Sequence, residues 1–230
     1  MGRDVPKALV EIDGTPLVAH AARALAASGV VDALVITAPA GRSAQLRAAV
    51  GPLPLDVQVV DGGGTRQASV AAGLRLVPPD ADVVLVHDAA RPFAPSSLVE
   101  RVVSAVRSGH GAVVPGLPVT DTIKRVAPDG SSPAGEVVTG SAGIERVVDT
   151  PDRSVLRAVQ TPQGFDRELL QRAHADGAAR AAAEHLAATD DAGLVEALGM
   201  PVHVVAGDVA ASKITTERDL VLATLLQGER

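Results

Sequence analysis

Residues 82–92 have the sequence Asp-Val-Val-Leu-Val-His-Asp-Ala-Ala-Arg-Pro, an apolar run that ends in a histidine, an acid and an arginine. The run Asp82–His87 is rich in β-branched residues and almost continuous in apolar positions, so it predicts a strand that is covered on both faces. The polar residues follow its carboxyl end, where open α/β sheets place ligand-binding groups. This stretch therefore predicts an α/β fold with a functional site directly after the strand.

Runs of the same character lie on either side of this strand. Alanine-rich segments with helical spacing separate them, and the repeated order of strand and helix predicts a three-layer α/β/α sandwich around a parallel sheet. The proline that opens the last run stands at the first strand position, where a strand tolerates it. The predicted strands are Ala33–Ala38, Leu55–Val60, Gly111–Val119 and Pro201–Ala206.

Three of the helices can be placed from their apolar faces and their starts. Two of them begin with the residue pattern of a capping box, Ser97-Leu-Val-Glu100 and Thr216-Glu-Arg-Asp219, and the second of these runs through Leu226. The predicted buried faces are Leu17, Val18, Ala21, Ala22 and Leu25 in the first helix, and Leu98, Val102 and Val106 in the next.

Residues 120–150 break the alternation. They contain β-leaning runs around a Pro128-Asp129-Gly130 turn and a stretch rich in Ser, Gly and Pro, but no amphipathic helix. We predict a single domain over residues 1–230 that carries a projecting β-hairpin arm at 120–150. Because an extended arm cannot bury itself, it favours a homodimer; the alternative is a surface loop.

Composition excludes several classes of protein. The 230 residues carry 27 acidic and 21 basic side chains, a net charge of −6, which argues against a general nucleic-acid binder. There is no cysteine for thiol or zinc chemistry, and two Phe without Tyr or Trp give no stacking platform. No apolar stretch is long enough to span a membrane, and we expect a cytoplasmic protein. Only three of the basic residues are lysines: Lys7, Lys124 and Lys213.

A glycine-rich turn, Asp61-Gly-Gly-Gly-Thr-Arg66, follows a predicted strand and precedes a helix. A dinucleotide fingerprint would need glycine at position 67, where Gln67 stands, so a nicotinamide-dependent oxidoreductase is disfavoured. The sequence leaves open either a turn that approaches a charged or planar ligand, with Ser69 one turn into the helix, or a plain tight turn.

The carboxylate of Asp88 and the guanidinium of Arg91 suit contacts to hydroxyls and phosphates. An Asp–Arg surface pair is the alternative, and no serine elbow accompanies His87 to support a catalytic triad. Other motifs have ordinary structural readings when they are taken singly. They are Thr120–Arg125, Asp152–Arg153, Gln160–Phe165, Thr189–Ala192 and Ser212–Thr215.

In combination and in order, these motifs resemble the 2-C-methyl-D-erythritol 4-phosphate cytidylyltransferases of the non-mevalonate isoprenoid pathway. The resemblance covers essentially the whole chain and implies a Rossmann-like nucleotidyltransferase fold, a homodimer formed through the arm, and Mg²⁺ or another divalent cation. The matching segments are Pro6-Lys-Ala8 with Gly14, Asp61–Val70, Val86–Pro92, Pro118–Arg125, Arg153, Gln160–Phe165, Thr189–Ala192 and Lys213-Ile-Thr215.

The resemblance implies transfer of CMP from CTP to 2-C-methyl-D-erythritol 4-phosphate with release of pyrophosphate. Lys7 would stabilise charge on the α-phosphate, while Arg153 and Lys213 would hold the substrate phosphate, helped by other binding residues. The implied substrate-binding residues are Asp88, Arg91, Thr122 and Thr161; the implied nucleotide-binding residues are Gly63, Gly64, Ser69, Asp88 and Ala89. In the resembled family, the residues that match Thr122 and Arg153 reach the site of the partner subunit.

Members of the resembled family begin with a strand and a glycine-rich loop that wraps the CTP triphosphate. Here Met1-Gly2 aligns with the end of that loop, so we expect the first strand, the glycines and an arginine of the loop to be missing. Two alternatives accompany this expectation: a cytidylyltransferase for another polyol phosphate such as ribitol 5-phosphate, and an N-terminally truncated, inactive homologue.

Overall fold

A computed structural model describes residues 6–128, 144–184 and 190–227. The strands are β1 (Glu11–Ile12), β2 (Thr15–Pro16), β3 (Ala33–Ala38), β4 (Asp56–Asp61), β5 (Val83–Val86), β6 (Ala112–Pro118), β7 (Arg125–Pro128), β8 (Glu145–Asp149), β9 (Arg157–Val159), β10 (Gln163–Asp166) and β11 (His203–Ala206). The helices are α1 (Leu17–Ala27), α2 (Ser43–Val50), α3 (Arg66–Leu74), α4 (Ser96–Arg107), α5 (Arg167–Glu184), α6 (Asp191–Ala197) and α7 (Glu217–Gln227). Short 3₁₀ turns lie at Lys7–Leu9, Arg153–Val155 and Val209–Ala211.

The chain divides into two compact units. The first contains the residues up to Gly116 and from Val159 onward, and the second contains Leu117–Ala158. In the second unit β7 and β8 pair antiparallel as a hairpin, with Arg125 opposite Asp149. Pro128 ends β7, and the other two residues of the predicted turn, Asp129 and Gly130, lie outside the described residues, as does most of the Ser/Gly/Pro-rich stretch.

The first unit has helices on both sides of its strands. The buried α1 residues Val18 and Ala22 pack with Leu34 and Ile36 of β3. Gly73 of α3 approaches the alternate β3 residues, Thr37 and Val35. Because alternate residues of a strand point to opposite faces, α1 and α3 cover opposite sides of β3. The predicted three-layer α/β sandwich is confirmed.

The sheet is mixed, which corrects the expectation of a parallel one. Strands β3 and β4 pair in parallel, as do β6 and β11, but β10 lies antiparallel between β5 and β6. The sequence predicts no strand at β10, because a segment that contains Gln163 and Gly164 lacks an apolar pattern. The Gln163 side chain can be buried because its amide is hydrogen-bonded. Gly164 lies so close to α4 that a Cβ at this position would overlap Val102.

The predicted strand boundaries agree with the structure to within a residue or two, and Ala33–Ala38 agrees at both ends. The prediction of a capping box at Ser97–Glu100 is wrong. Helix α4 starts at Ser96 with Pro95 as its N-cap and no side-chain cap, so Ser97 lies inside the first turn, where it cannot cap. The second capping box is confirmed: Asp219 N donates to Thr216 Oγ1 at 3.1 Å, and Thr216 N donates to Asp219 Oδ2 at 2.8 Å.

The predicted apolar faces of α1 and α4 are buried, as expected. A smaller apolar cluster joins the start of the described chain to its end, since Val10, Ile12 and Leu17 pack with Ile214. This cluster places the segments that follow Pro6 and precede α7 side by side. It therefore brings two of the three lysines, Lys7 and Lys213, into the same neighbourhood.

A cleft of about 990 Å³ runs alongside β3 and β5. Residues of both strands line it, together with apolar residues of α1 and α3. Within the part of the chain that is described, β3 pairs only with β4, and β5 pairs only with β10. At the carboxyl end of β5 the cleft is lined by His87, Asp88 and Ala89, which belong to the stretch first singled out in the sequence.

Candidate active site

An ion pair between Lys213 and Asp88 forms the centre of the candidate site. The Lys213 Nζ lies 2.8 Å from the Asp88 Oδ2. The neighbouring residue Ile214 fixes this arrangement, because its backbone nitrogen donates to the carbonyl of Ala90 at 2.8 Å and its side chain is buried. Both side chains keep some contact with solvent, with 45% of Lys213 and 22% of Asp88 exposed. A bound molecule can therefore reach them.

Asp88 is held in its charged form. Burial on its own raises the pKa of this carboxyl, but the hydrogen bond and charge of Lys213, with the charges of Arg66 and Arg91, outweigh it and keep the pKa below its ordinary value. The site therefore has a carboxylate rather than a carboxylic acid at neutral pH.

Lys7 adds a second ammonium to this neighbourhood. Burial lowers the pKa of Lys7, and the positive charge of Lys213 lowers it further, while the charges of Asp88 and Asp219 act in the opposite direction. The two lysines repel each other, and an anion that binds among these groups relieves that repulsion. The arrangement favours binding of a phosphate or another multiply charged anion.

The segment after Lys213 is tightly held by the start of α7. The Asp219 carboxylate accepts hydrogen bonds from the backbone nitrogen and hydroxyl of Thr215, at 2.8 and 2.7 Å, and from Thr216 N. These bonds, the Thr215 hydroxyl first among them, keep the pKa of Asp219 far below its ordinary value. The lysine therefore extends from a fixed backbone.

A chain of hydrogen bonds fixes the loop that carries Asp88. The Asp88 backbone nitrogen donates to Thr161 Oγ1 at 3.0 Å, the Thr161 hydroxyl lies 3.0 Å from His87 Nδ1, and His87 Nε2 lies 3.1 Å from the Arg91 carbonyl. A carbonyl only accepts, so Nε2 carries the proton, and Nδ1 accepts from Thr161. Burial lowers the pKa of His87 to about 4, which keeps the ring neutral.

Thr161 and Arg91 were predicted as substrate-binding residues, and the structure places both beside Asp88 with partners of their own. Thr161 is buried, and its hydroxyl belongs to the chain just described. Arg91 donates to the carbonyl of Ala211 at 2.7 Å and to that of Val159 at 3.3 Å, and burial lowers its pKa. Both residues thus brace the loop in this structure.

The glycine-rich turn lies at the carboxyl end of β4, and its shape depends on Ser69. The Ser69 Oγ accepts from Gly63 N at 3.1 Å and donates to the Thr65 carbonyl at 2.9 Å. A Cβ at Gly63 would overlap the Cβ of Ala68, whereas one at Gly64 would meet nothing within 4 Å. The turn therefore requires glycine at position 63 for its close packing, and leaves position 64 open.

The remaining predicted residues lie in the second unit. Arg153 donates to the carbonyl of Thr120, and Thr122 is exposed. Lys124, which has no predicted role, donates to Thr150 Oγ1 at 2.7 Å. The structure thus groups Lys7, Asp88 and Lys213 in the first unit, while Thr122 and Arg153 belong to the second unit.

Sequence reasoning gave no individual role to Asp191 or His174. Asp191 is completely buried, with Arg66 Nη2 at 2.7 Å from one carboxylate oxygen and His174 Nε2 at 2.9 Å from the other. A helix N-cap is the ordinary reading of the motif Thr189–Ala192, and the structure has that cap at Asp190. The sequence gives no sign that Asp191 faces inward. Thr189 of that motif lies outside the described residues.

A divalent cation would find one suitable carboxylate at this site. The described residues contain no cluster of three or more His, Asp or Glu side chains that could enclose a metal ion by themselves. Asp88 fits Mg²⁺ in the way that this ion is held in nucleotide enzymes, by one or two carboxylates together with substrate phosphates.

Comparison with protein families finds one model that matches. The model described as IspD, 2-C-methyl-D-erythritol 4-phosphate cytidylyltransferase, matches residues 1–228. A 2-C-methyl-D-erythritol 4-phosphate cytidylyltransferase from Streptomyces avermitilis is 46% identical over 234 residues, which is all of this chain and 87% of that protein.

Solved structures agree with this match. The protein of that name from Thermus thermophilus is 41% identical, with a TM-score of 0.72 over 96% of this chain and 93% of its own. The 4-diphosphocytidyl-2C-methyl-D-erythritol synthase from Anaerococcus prevotii is 25% identical, with a TM-score of 0.80 over the same shares of the two chains. No helix among the described residues is both long and apolar enough to cross a membrane.

Proposed function

The chain belongs to the 2-C-methyl-D-erythritol 4-phosphate cytidylyltransferase family and is a cytidylyltransferase, and we propose that Lys7, Asp88 and Lys213 organise its reaction. The reaction transfers CMP from CTP to 2-C-methyl-D-erythritol 4-phosphate in non-mevalonate isoprenoid biosynthesis. A phosphate oxygen of the acceptor attacks the α-phosphorus of CTP, the bond from that phosphorus to the bridging oxygen breaks, and pyrophosphate leaves. The proposal rests on the ion pair between Lys213 and Asp88, whose charged atoms lie 2.8 Å apart.

The reaction brings together two anions that repel each other, so the site must supply positive charge. Lys213 holds the phosphate of the acceptor, and Lys7 stabilises the charge that develops on the α-phosphate of CTP. Fixed cations of this kind lower the barrier because they are oriented before the reaction starts. The lowered pKa of Lys7 supports this assignment, since burial and then the charge of Lys213 destabilise this cation, and a bound anion would stabilise it.

Asp88 has two tasks in this proposal. While the site is empty of substrate it pairs with Lys213 and keeps that ammonium in place. When substrates bind, it accepts from substrate hydroxyls or contacts the metal–nucleotide complex. Thr161 and Arg91 hold the Asp88 loop in place for these contacts.

The glycine-rich turn takes the cytosine end of CTP. The backbone of Gly63 and Gly64 matches the amide-like edge of the base, and the Ser69 hydroxyl, which bonds Gly63 N in this structure, would exchange that bond for one to the base. Ala89, which lines the cleft after β5, allows the nucleotide to approach closely. No side chain at positions 63 and 64 obstructs the base.

Mg²⁺ belongs to the proposal as a bound partner of CTP. It would neutralise part of the triphosphate charge, and Asp88 is the described carboxylate that would hold it. Activity lost on chelation and restored by Mg²⁺ would support this part of the proposal; activity retained in the presence of excess chelator would contradict it.

Exposed apolar side chains of the second unit support a homodimer. Six of its described large apolar side chains are exposed, which is unfavourable unless another surface covers them. A copy of the chain that packs on this arm would bring Thr122 and Arg153 to the partner's site. The exposed residues are Ile123, Val126, Ile144, Val147, Val148 and Val155. A cytoplasmic location, where CTP is available, agrees with these substrates.

Pyrophosphate release tests the substrate assignment directly. The purified chain is incubated with CTP and Mg²⁺, and with either 2-C-methyl-D-erythritol 4-phosphate or ribitol 5-phosphate. We expect turnover with the first acceptor and a kcat/KM at least about tenfold lower with the second, because an acceptor of different shape misplaces the attacking oxygen. Faster turnover of ribitol 5-phosphate would overturn the assignment. Binding of CTP without release of pyrophosphate from it in the presence of either acceptor would contradict the proposed activity.

A further inference from the structure

A buried polar network links α3, α5 and α6 on one side of the glycine-rich turn. Its centre is Asp191, whose carboxylate is fully buried and lies against the Arg66 guanidinium and the His174 ring at 2.7 and 2.9 Å. A carboxylate removed from water is strongly destabilising unless charged or hydrogen-bonding partners surround it. The buried carboxylate therefore requires its contacts with Arg66 and His174.

Arg66 connects this network to the turn. It is the first residue of α3 and directly follows the N-cap Thr65, whose hydroxyl accepts from Ala68 N at 3.0 Å. Ser69, which bonds Gly63, lies one helical turn further on. The guanidinium thus anchors the same turn of helix that shapes residues 62–65.

Arg66 also borders the cleft that Asp88 lines. About 37% of its side chain is exposed, and it borders the cleft together with Ser69 and Asp88. Its charge is one of those that lower the pKa of Asp88. Asp191 thus pairs with a residue that begins the helix after the glycine-rich turn and whose charge acts on Asp88.

The start of α6 is also hydrogen-bonded to β10, the strand that pairs with β5. Asp190 accepts from Gly193 N at 2.9 Å and from Gln163 Nε2 at 2.8 Å, and Gln163 Oε1 accepts from Ala192 N at 3.3 Å. Gln163 opens β10 two residues after Thr161, which holds the Asp88 backbone. The start of α6 therefore has a fixed position relative to the Asp88 loop.

We propose that Asp191 is a positioning residue for CTP: through Arg66 it holds the glycine-rich turn in the conformation that accepts the cytosine nucleotide. A turn with three successive glycines has many accessible conformations, and ordering it on binding costs free energy. The ion pair keeps the competent conformation populated, and apparent affinity falls in proportion to that population. The inference rests on the proposed function, because it assigns this turn to CTP.

Four variants test the role by steady-state kinetics. Arg66→Gln and Asp191→Asn each remove one charge of the pair, Arg66→Lys keeps the positive charge, and the double variant removes both charges. Arg107→Gln is the matched control, because it makes the same change in an exposed pair with Asp82. Thermal unfolding is measured for every variant, so that losses of stability are recorded separately.

We expect Arg66→Gln and Asp191→Asn each to raise the KM for CTP about tenfold, with the KM for 2-C-methyl-D-erythritol 4-phosphate and kcat within about twofold. Arg66→Lys should recover part of the loss. The double variant should be no worse than the more affected single variant, because both substitutions disable the same contact. The Arg107→Gln control should match the wild type in all three kinetic parameters.

An unchanged KM for CTP in Arg66→Gln, with normal thermal stability, overturns the proposal. So does an equal rise in both KM values, which is the result expected from general loosening of the fold. If Asp191→Asn does not fold, the half-exposed Arg66 still decides the question. If wild-type protein releases no pyrophosphate, CTP binding by equilibrium dialysis replaces kinetics: weaker binding by Arg66→Gln supports the positioning role even though the proposed reaction has failed, and equal binding overturns that role.

Discussion

The Lys213 ammonium lies 2.8 Å from the Asp88 carboxylate, although 125 positions separate the two residues in the chain. Two features produce this contact: the Ile214 backbone bonds the Ala90 carbonyl, and the Ile214 side chain is buried with Val10 and Leu17. The same apolar cluster holds the segment after Lys7. Packing at one small cluster thus assembles the charged groups of the site.

Lys213→Ala should reduce kcat/KM about 30- to 1,000-fold, equivalent to roughly 2–4 kcal/mol, because a charge-assisted contact to the acceptor phosphate is lost and Asp88 is left without its partner. Steady-state pyrophosphate release measures the effect. Lys124→Ala is the matched control, since Lys124 contacts Thr150 in the second unit and has no proposed role. A kcat/KM within twofold of wild type for Lys213→Ala would remove this lysine from the reaction.

Much of this site could be predicted from the sequence, because its residues follow apolar strands or stand in recognisable motifs. Asp88 is the second residue after β5, and Ser69 follows the glycine-rich turn. The sequence could not show that Thr161 holds the Asp88 backbone, since that hydrogen bond spans 73 positions. Strand β10 could not be predicted either, because burial of Gln163 depends on hydrogen-bonding groups at the start of α6.

Acid should destabilise the protein through His87. Its pKa is about 4 in the folded protein and near its ordinary value of 6.5 in the unfolded chain, so the unfolded state binds more protons between these values. The stabilisation associated with the neutral ring is fully present above pH 6.5 and is lost as the pH falls towards 4, by about 3 kcal/mol in all.

His87→Gln tests this dependence, because glutamine keeps a donor for the Arg91 carbonyl but does not titrate. Urea unfolding at several pH values between 4 and 7 gives the free energy of unfolding for wild type and variant. We expect the wild-type value to fall more steeply with acid than the variant's. Parallel curves for the two proteins would show that His87 is not the titrating group.

Gly63→Ala should destabilise the protein by roughly 1–3 kcal/mol, because the added methyl group would overlap Ala68 and force the turn away from α3. Gly64→Ala adds the same methyl group in open space and is the matched control for folding. Thermal unfolding compares the two variants with wild type. Equal melting temperatures for both variants would contradict the close packing at Gly63.

Val147→Glu should convert the proposed dimer into monomers. Val147 lies in β8, is half exposed, and belongs to the apolar residues of the second unit. A buried, unpaired carboxylate at a subunit interface costs several kcal/mol, enough to separate subunits at micromolar concentration. Val221→Glu places the same charge on α7 of the first unit, where the valine is also exposed, and should leave the molar mass unchanged. Light scattering after size-exclusion chromatography distinguishes the species. A wild-type protein that is monomeric at all concentrations would refute the arm-mediated dimer, and a dimeric Val147→Glu would place the interface elsewhere.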